Sequence, residues 1–194
     1  MKRIPIVMAL SALLFACWED DTSLDFSLPA KTQIGKNTFG CILNAHVWTN
    51  YGQVCFPFAG GCRENTVAIY RPANLGGLEL YTDRVLKKNG AIISSESIHF
   101  SLNGNFNATG NYNIRYIDNA RDIIYRDNST EKIYSCIPDR ETFTLQVTKL
   151  DTIQKVISGE FSGTLFSVIY TPMKQMDMSD SVVLTEGRFD LKLK

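Results

Sequence analysis

Apolar and polar residues alternate one by one over long stretches of this chain, and this pattern limits its fold more than any other feature. In residues 142–150, Phe143, Leu145 and Val147 alternate with threonine and glutamine. Near the C-terminus, the same pattern predicts that Phe189 and Leu191 face inwards while Asp190 faces solvent. A two-residue period predicts half-buried strands, whereas an amphipathic helix needs apolar residues three or four apart. The sequence therefore predicts an antiparallel sheet with one polar face.

Short turn signals separate the predicted strands. Asn89-Gly90 and Asn103-Gly104 favour tight hairpin turns, and residues 39–48 are predicted to form one strand. No segment has the length and period of a crossover helix, so parallel topology is excluded. The predicted fold class is all-β: a single antiparallel β-sandwich or a curved-sheet, barrel-like domain.

Residues 156–170 leave the choice between these two architectures open. Glycines 159 and 163 fall on the same predicted face as Phe161 and Leu165. Alternating glycines fit a sharply curved sheet around an internal cavity. They also fit a filled sandwich in which each glycine makes room for a phenylalanine opposite.

The first sixteen residues predict a signal peptide. Lys2 and Arg3 precede an uncharged stretch of thirteen residues, 4–16, which is shorter than the roughly 20 residues that span a bilayer. The stretch ends in Leu14-Phe15-Ala16-Cys17, which resembles the lipobox of bacterial lipoproteins. This resemblance implies that Cys17 becomes the acylated N-terminus and tethers the chain to a membrane, since several acyl chains anchor a protein stably.

The segment after Cys17 bears on the location of the protein. Trp18-Glu19-Asp20-Asp21 resembles the acidic export tag of Bacteroidota lipoproteins, which implies lipid anchoring in the outer membrane with the protein facing outward. Residues 17–36 lack apolar periodicity and are predicted to form a flexible tether. The all-β domain is predicted to comprise residues 37–194.

Four further cysteines remain, and export from the cytosol would permit disulfides. Cys55 and Cys62 are predicted to pair because the six residues between them can turn the chain back on itself; Cys41 would then pair with Cys136. No CxxC or HxxxH spacing occurs, so no metal site is predicted.

Charge and motif content disfavour two classes of function. Lys plus Arg and Asp plus Glu number 20 each, giving a formal net charge of zero, so the chain lacks the basic field of a nucleic-acid-binding protein. It contains no GxSxG, P-loop, GxGxxG or HExxH motif. The sequence predicts neither enzymatic activity nor a cofactor.

An aromatic-rich segment, residues 48–63, is the strongest candidate for binding. Its predicted binding residues are Trp48, Tyr51, Phe56 and Phe58. Rigid aromatic side chains can stack on sugar rings or anchor a protein partner. In an alternative interpretation, the two phenylalanines fill the end of the core.

Three segments, residues 35–48 (GKNTFGCILNAHVW), 158–166 (SGEFSGTLF) and 185–191 (TEGRFDL), resemble a family of uncharacterised Bacteroidota lipoproteins. The resemblance implies a cell-envelope location and an all-β fold, and it transfers no functional residue. Thr152 and Ser181 each follow an aspartate and precede an apolar residue, a pattern that resembles the O-glycosylation acceptor of these bacteria.

These observations predict a surface-anchored binding or interaction module with a glycan or protein partner. A barrel-type carrier of a small ligand is the first alternative. An uncharacterised hydrolase is the second, because two carboxylates that meet only in the fold leave no motif.

Overall fold

The computed structural model describes residues 24–56, 61–71, 77–103, 106, 108–114, 121–137, 142–169 and 175–194. In these ranges the chain forms strands, turns and loops and no helix, which confirms the all-β prediction. The strands are β1 (Thr38–Leu43), β2 (His46–Thr49), β3 (Val54–Phe56), β4 (Gly61–Arg63), β5 (Thr66–Tyr70), β6 (Gly77–Lys88), β7 (Ala91–Asn103), β8 (Gly110–Ile114), β9 (Arg121–Asp127), β10 (Lys132–Ser135), β11 (Phe143–Asp151), β12 (Val156–Ile169) and β13 (Gln175–Lys192). Over the same ranges, no helix has the length and apolar character to cross a membrane.

Eleven of these strands form one strongly curled antiparallel sheet, a half-barrel. Its order is β2-β1-β13-β12-β10-β9-β7-β6-β5, and β11 and β8 branch from it because the first half of β12 pairs with β11 and the second half with β10. Two isolated parallel bridges, Tyr51 to Arg84 and Ala68 to Leu193, tie opposite sides of the sheet together. The curved-sheet form of the prediction is therefore confirmed.

The predicted strand over residues 39–48 is wrong in its middle, where the chain turns between β1 and β2. Asn44 and Ala45 have φ angles of 46° and 68°, the left-handed conformation of a tight hairpin turn. The Asn44 side chain fixes this turn to β13, because its Oδ1 accepts a hydrogen bond from the backbone N–H of Val183 at 2.9 Å.

Glycine and phenylalanine face each other across neighbouring strands. Gly159 pairs with Phe189, Gly187 with Phe161 and Gly163 with Phe143. A methyl group at position 187 would overlap the Phe161 ring, and one at position 159 would lie 2.8 Å from Cε1 of Phe189. The glycines therefore make room for phenylalanine rings within a curved sheet, as one of the two predicted explanations requires.

The phenylalanines fill the interior of the half-barrel. Phe161 lies 4.9 Å from Phe39, 5.0 Å from Phe100 and 5.9 Å from Phe143 between ring centroids. Such a cluster stabilises the fold through the large apolar area that it buries and through its edge-to-face ring pairs. Side chains thus fill this part of the interior.

Residues 24–36, which were predicted to be part of a flexible tether, contact the sheet in the structure. Residues 24–37, here named the N-terminal strap, lie against the outer face of the sheet. Lys31 pairs with Glu160 at 2.7 Å, and Lys149 Nζ donates to the Gln33 carbonyl oxygen at 3.0 Å. The absence of apolar periodicity was misleading here because polar contacts hold the strap.

Asp190 on β13 is the main anchor of the strap. Its carboxylate accepts hydrogen bonds from Thr32 Oγ1 (2.6 Å), from the backbone N–H groups of Ile34 (3.2 Å), Gly35 (2.8 Å) and Lys36 (3.2 Å), and from Ser158 Oγ (2.8 Å). The prediction that Asp190 faces solvent is therefore wrong: it points outwards from the sheet, but the strap covers it and leaves 1% of the residue exposed.

The predicted bond between Cys41 and Cys136 is not formed in the structure. The Cys41 thiol is free and fully buried, and it packs as a small apolar group on β1 opposite Trp48. Burial and, to a lesser degree, the Glu96 carboxylate raise its pKa to about 12. Cys55 lies directly opposite Cys62 in the β3–β4 pair, which suits a disulfide, and the bond between them stays a prediction.

Candidate functional site

An open cleft of about 290 Å³ lies at one end of the half-barrel, and it is the candidate functional site. Small-molecule sites are often found at the mouths of barrels, and this volume is near the lower end of their range of about 300 to 1,000 Å³. The cleft is lined by Leu43, Asn44, His46, Trp48, Arg84, Glu96, Tyr125, Asp127, Tyr134 and Val182.

Strand register brings the charged residues of the cleft together. Arg84 on β6 is opposite Glu96 on β7, and Glu96 is opposite Asp127 on β9. Ile98, two residues after Glu96 on β7, faces the same side of the sheet and is fully buried. The inward-facing rows therefore change from apolar to charged at the cleft.

Glu96 connects the two sides of the cleft. Its Oε2 accepts a hydrogen bond from Trp48 Nε1 on β2 at 2.5 Å, and its Oε1 accepts one from Ser94 Oγ at 2.9 Å. The Tyr125 hydroxyl also hydrogen-bonds to Glu96, and burial together with this carboxylate raises the pKa of Tyr125. The phenol therefore stays protonated and donates, so three donors hold the carboxylate in one position.

Aromatic rings form the floor of the cleft. Tyr125 and Tyr134 stack with ring centroids 5.8 Å apart, and the Tyr134 hydroxyl donates to Asp180 Oδ1 at 3.2 Å. Trp48 also lines the cleft, from β2 at one end of the strand order. These three residues are almost completely buried, whereas Asn44 and His46 at the rim are exposed.

Arg84 differs from the other charged residues of the cleft. Its Nε is buried and has no hydrogen-bond partner among the described residues. Its guanidinium carbon lies 5.0 Å above the ring of Phe26 in the N-terminal strap, and Phe26 in turn packs against Tyr51 at 5.2 Å. The start of the strap therefore lies at the edge of the cleft.

The four predicted binding residues are only partly brought to this site. Trp48 lies in the cleft, and Tyr51 lies beside it, where its backbone bridges to Arg84. Phe58 and the Phe56 side chain lie outside the described residues. The segment that carries them is fastened to β6 by an ion pair between Arg63 and Asp83 and by the contact of Arg63 with the Tyr81 ring at 5.0 Å.

Neither predicted glycosylation residue is among the residues that line the cleft, although Ser181 precedes the lining residue Val182. Thr152 is exposed in the turn after β11, where Asp151 Oδ1 accepts hydrogen bonds from the N–H groups of Ile153 and Gln154 at 3.0 and 2.7 Å. Asp151 therefore acts as a turn cap. Ser181 is exposed on β13, and modification at either position stays a prediction. Cys17 and the predicted export tag, residues 18–21, lie outside the described residues.

Five residues of the cleft were not predicted from the sequence: Arg84, Glu96, Tyr125, Asp127 and Tyr134. They come from four strands, and only the register of those strands brings them together. One signal was present in the sequence: Ser94 and Glu96 occupy the same alternating positions as Ile98, Phe100 and Leu102. A charged residue in an inward-facing row indicates the polar end of a core.

Comparisons with protein-family models, with curated protein sequences and with solved structures find no match to this chain. The kind of ligand that the cleft can bind is therefore inferred from its lining residues. Glu96 and Asp127 supply acceptors, and Arg84, Asn44 and His46 supply donors above an aromatic floor. This combination suits a small polar ligand whose groups both donate and accept hydrogen bonds.

Proposed function

We propose that this protein is an envelope-anchored binding protein whose cleft holds a carbohydrate ring. The fixed Glu96 carboxylate beside the stacked Tyr125 and Tyr134 is the observation that carries the proposal. Sugar hydroxyls donate and accept hydrogen bonds, and the C–H groups of a sugar ring pack on aromatic carbon. Because the side chains that hold Glu96 are already in place, little ordering would be needed on binding.

The size of the cleft supports a ligand of about one ring. A volume of about 290 Å³ accommodates one sugar unit, or the terminal unit of a longer chain, better than it accommodates a protein loop. A protein partner would need an interface of roughly 800 Å² on each side. We therefore favour the glycan over the protein partner.

Anchoring through Cys17 would place the cleft close to the membrane. Phe26 is nine positions after Cys17, and an extended chain spans at most about 3.6 Å per residue. With Cys17 acylated, Phe26 and the adjacent cleft would lie within roughly 30 Å of the lipid surface. The ligand would then be a glycan of the envelope or one captured close to it.

Glu96→Gln is expected to weaken glycan binding about tenfold or more, because hydrogen bonds to a charged group contribute about 1.5–3 kcal/mol. The full-length protein is first screened on a glycan array, and the strongest binder is then measured by isothermal titration calorimetry. Glu160→Gln, at a carboxylate outside the cleft lining, is the matched control and should change the Kd less than twofold. Equal losses in both variants, or an array without any binder, would contradict the proposal.

Mass spectrometry of the envelope-extracted protein tests the anchor. The expected N-terminus is Cys17 carrying a diacylglyceryl group and an acylated amine, with residues 1–16 removed. Cys17→Ser is expected to leave the leader attached and to abolish acylation. An unmodified thiol at Cys17, or a retained leader in the unsubstituted protein, would overturn the proposed anchoring and location.

A further inference from the structure

We infer that the ligand of the cleft is an acidic sugar, a hydroxylated ring bearing a carboxylate, and that Arg84 is the residue that selects it. This inference rests on the proposed glycan-binding function and makes its ligand class specific. It is based on the hydrogen bonds of the cleft: some of its polar groups already have partners in the protein, and others do not.

The two carboxylates of the cleft are largely occupied by the protein itself. Glu96 receives Trp48 Nε1, Ser94 Oγ and the Tyr125 hydroxyl. Asp127 Oδ1 accepts the N–H groups of Ser129 and Thr130 at 2.9 and 3.3 Å, and its Oδ2 accepts Thr130 Oγ1 at 2.7 Å. A carboxylate has about four acceptor positions, so each retains about one for a ligand hydroxyl. Each carboxylate can still accept a hydrogen bond from a ligand hydroxyl. Because the protein itself fills most of their acceptor positions, the two carboxylates do not require a cationic ligand.

Arg84 carries a buried donor, Nε, that no residue in the described part of the chain uses. Its buried Nε is unpaired, and no described carboxylate lies within ion-pair distance of its guanidinium, although Glu96 is its neighbour in register. Buried polar groups in proteins are nearly always paired. Glu96 accepts hydrogen bonds from Trp48 and Ser94 and not from Arg84. The Arg84 guanidinium therefore has a donor available for a ligand.

A carboxylate is the ligand group that best fits this donor. A guanidinium presents two parallel N–H groups along one edge, which match the two oxygens of a carboxylate. The approach is in the plane of the guanidinium, so it is compatible with the Phe26 ring below. Arg84 lines the cleft and is only partly buried, so we expect a rotation of its side chain to present Nε and one terminal nitrogen to a ligand.

The remaining groups of the site fit the rest of such a ligand. One acceptor position on Glu96 and one on Asp127 can take ring hydroxyls, and the exposed Asn44 and His46 at the rim can donate to ring oxygens. A small carboxylic acid without hydroxyl groups would use Arg84 alone. A neutral sugar would lack the carboxylate that matches the paired N–H edge of Arg84.

The test compares D-glucuronic acid, D-glucose and acetate as probes of the full-length protein, titrated separately by NMR at low salt. We expect glucuronic acid to bind at least tenfold more tightly than either glucose or acetate. In Arg84→Gln, the Kd for glucuronic acid should rise to within threefold of the Kd for glucose, a larger fold-change than the Kd for glucose undergoes. Arg126→Gln, at an exposed arginine on β9, should retain the full preference.

Arg84→Lys provides a second variant that keeps the charge. It loses the paired N–H edge, so the preference for glucuronic acid over glucose should fall threefold or more. Unchanged preference in both Arg84 variants would overturn the role of Arg84, as would equal loss of both sugars in Arg84→Gln.

The probes separate failure of this inference from failure of the proposed function. Acetate that binds as tightly as glucuronic acid would indicate a simple anion site and overturn the acidic-sugar assignment. Glucose that binds as tightly as glucuronic acid would overturn the inference and leave the glycan-binding function in place. Absence of binding by both sugars, together with an array without binders, would overturn both.

Discussion

Phe161→Ala is expected to lower the free energy of unfolding by about 3–5 kcal/mol, the usual effect of deleting a buried phenylalanine. The ring contacts Phe39, Phe100 and Phe143 and lies over Gly187, so its removal leaves a cavity that none of these neighbours can fill without leaving its own packing. The stability of typical domains is about 5–15 kcal/mol, so the variant would lose a large share of it. Guanidinium denaturation followed by circular dichroism measures this loss.

The glycine opposite this ring supplies the matched test. Gly187→Ala should cost about 1–3 kcal/mol through overpacking, because the added methyl group overlaps the Phe161 ring. Gly61→Ala is the control: apart from its chain neighbours, no described residue lies within 4 Å of the added carbon, so its effect should stay within about 0.5 kcal/mol. In the Phe161→Ala background the cost of Gly187→Ala should fall, since the ring is gone. An unchanged cost would show that the ring and the glycine are not coupled.

Alternation identified the inner face because burial of apolar side chains requires a two-residue period in a strand. Phe143, Leu145, Val147 and the glycine-rich face of β12 were predictable for this reason. The sequence does not decide whether the sheet is curled, since alternating glycines permit either curvature or flat packing. Only the pairing of Gly159 with Phe189 and of Gly187 with Phe161 shows that both effects operate together.

The cleft was less predictable because its residues are distant in sequence. Trp48 and Glu96 are 48 positions apart, yet they meet at 2.5 Å, since the curl and the Tyr51 to Arg84 bridge bring β2 towards β6 and β7. Trp48 was found because aromatic side chains are conspicuous in a sequence. Glu96 and Arg84 were missed because a charged residue in a strand is ordinarily exposed, and nothing local shows which ones face inwards.

The strap was unpredictable for a different reason. Its contacts depend on backbone N–H groups, which every segment has, and on one distant aspartate in an alternating strand. Periodicity detects segments that are held by apolar burial, and residues 24–36 are held by hydrogen bonds and ion pairs. The strap therefore had the composition of a linker although it contacts the sheet.

Asp190→Asn is expected to lower the free energy of unfolding by about 3 kcal/mol or more. Oδ1 accepts from Gly35 N–H and Ser158 Oγ, and Oδ2 accepts from Thr32 Oγ1 and from two backbone N–H groups. An amide in either orientation turns its NH₂ towards donors, and buried donors left without an acceptor cost about 1–3 kcal/mol each. Urea denaturation measures the loss. Asp151→Asn, at the turn cap with two backbone N–H donors, is the control and should cost about 1 kcal/mol or less.

The stability contributed by Asp190 should also depend on pH. Burial alone would raise its pKa, but the hydrogen bonds from Thr32, Gly35, Ser158 and Lys36 outweigh burial and lower it. Because the pKa in the folded protein lies below the value of about 3.9 in the unfolded chain, the unfolded chain binds the proton more readily in acid. The contribution is therefore fully present above the unfolded pKa and decreases as the pH falls through the folded pKa. Between pH 5 and pH 2, the unsubstituted protein should lose more stability than Asp190→Asn, and the N-terminal strap should become sensitive to an acid-active protease such as pepsin. Parallel pH curves for the two proteins would show that a carboxylate at position 190 does not hold the strap.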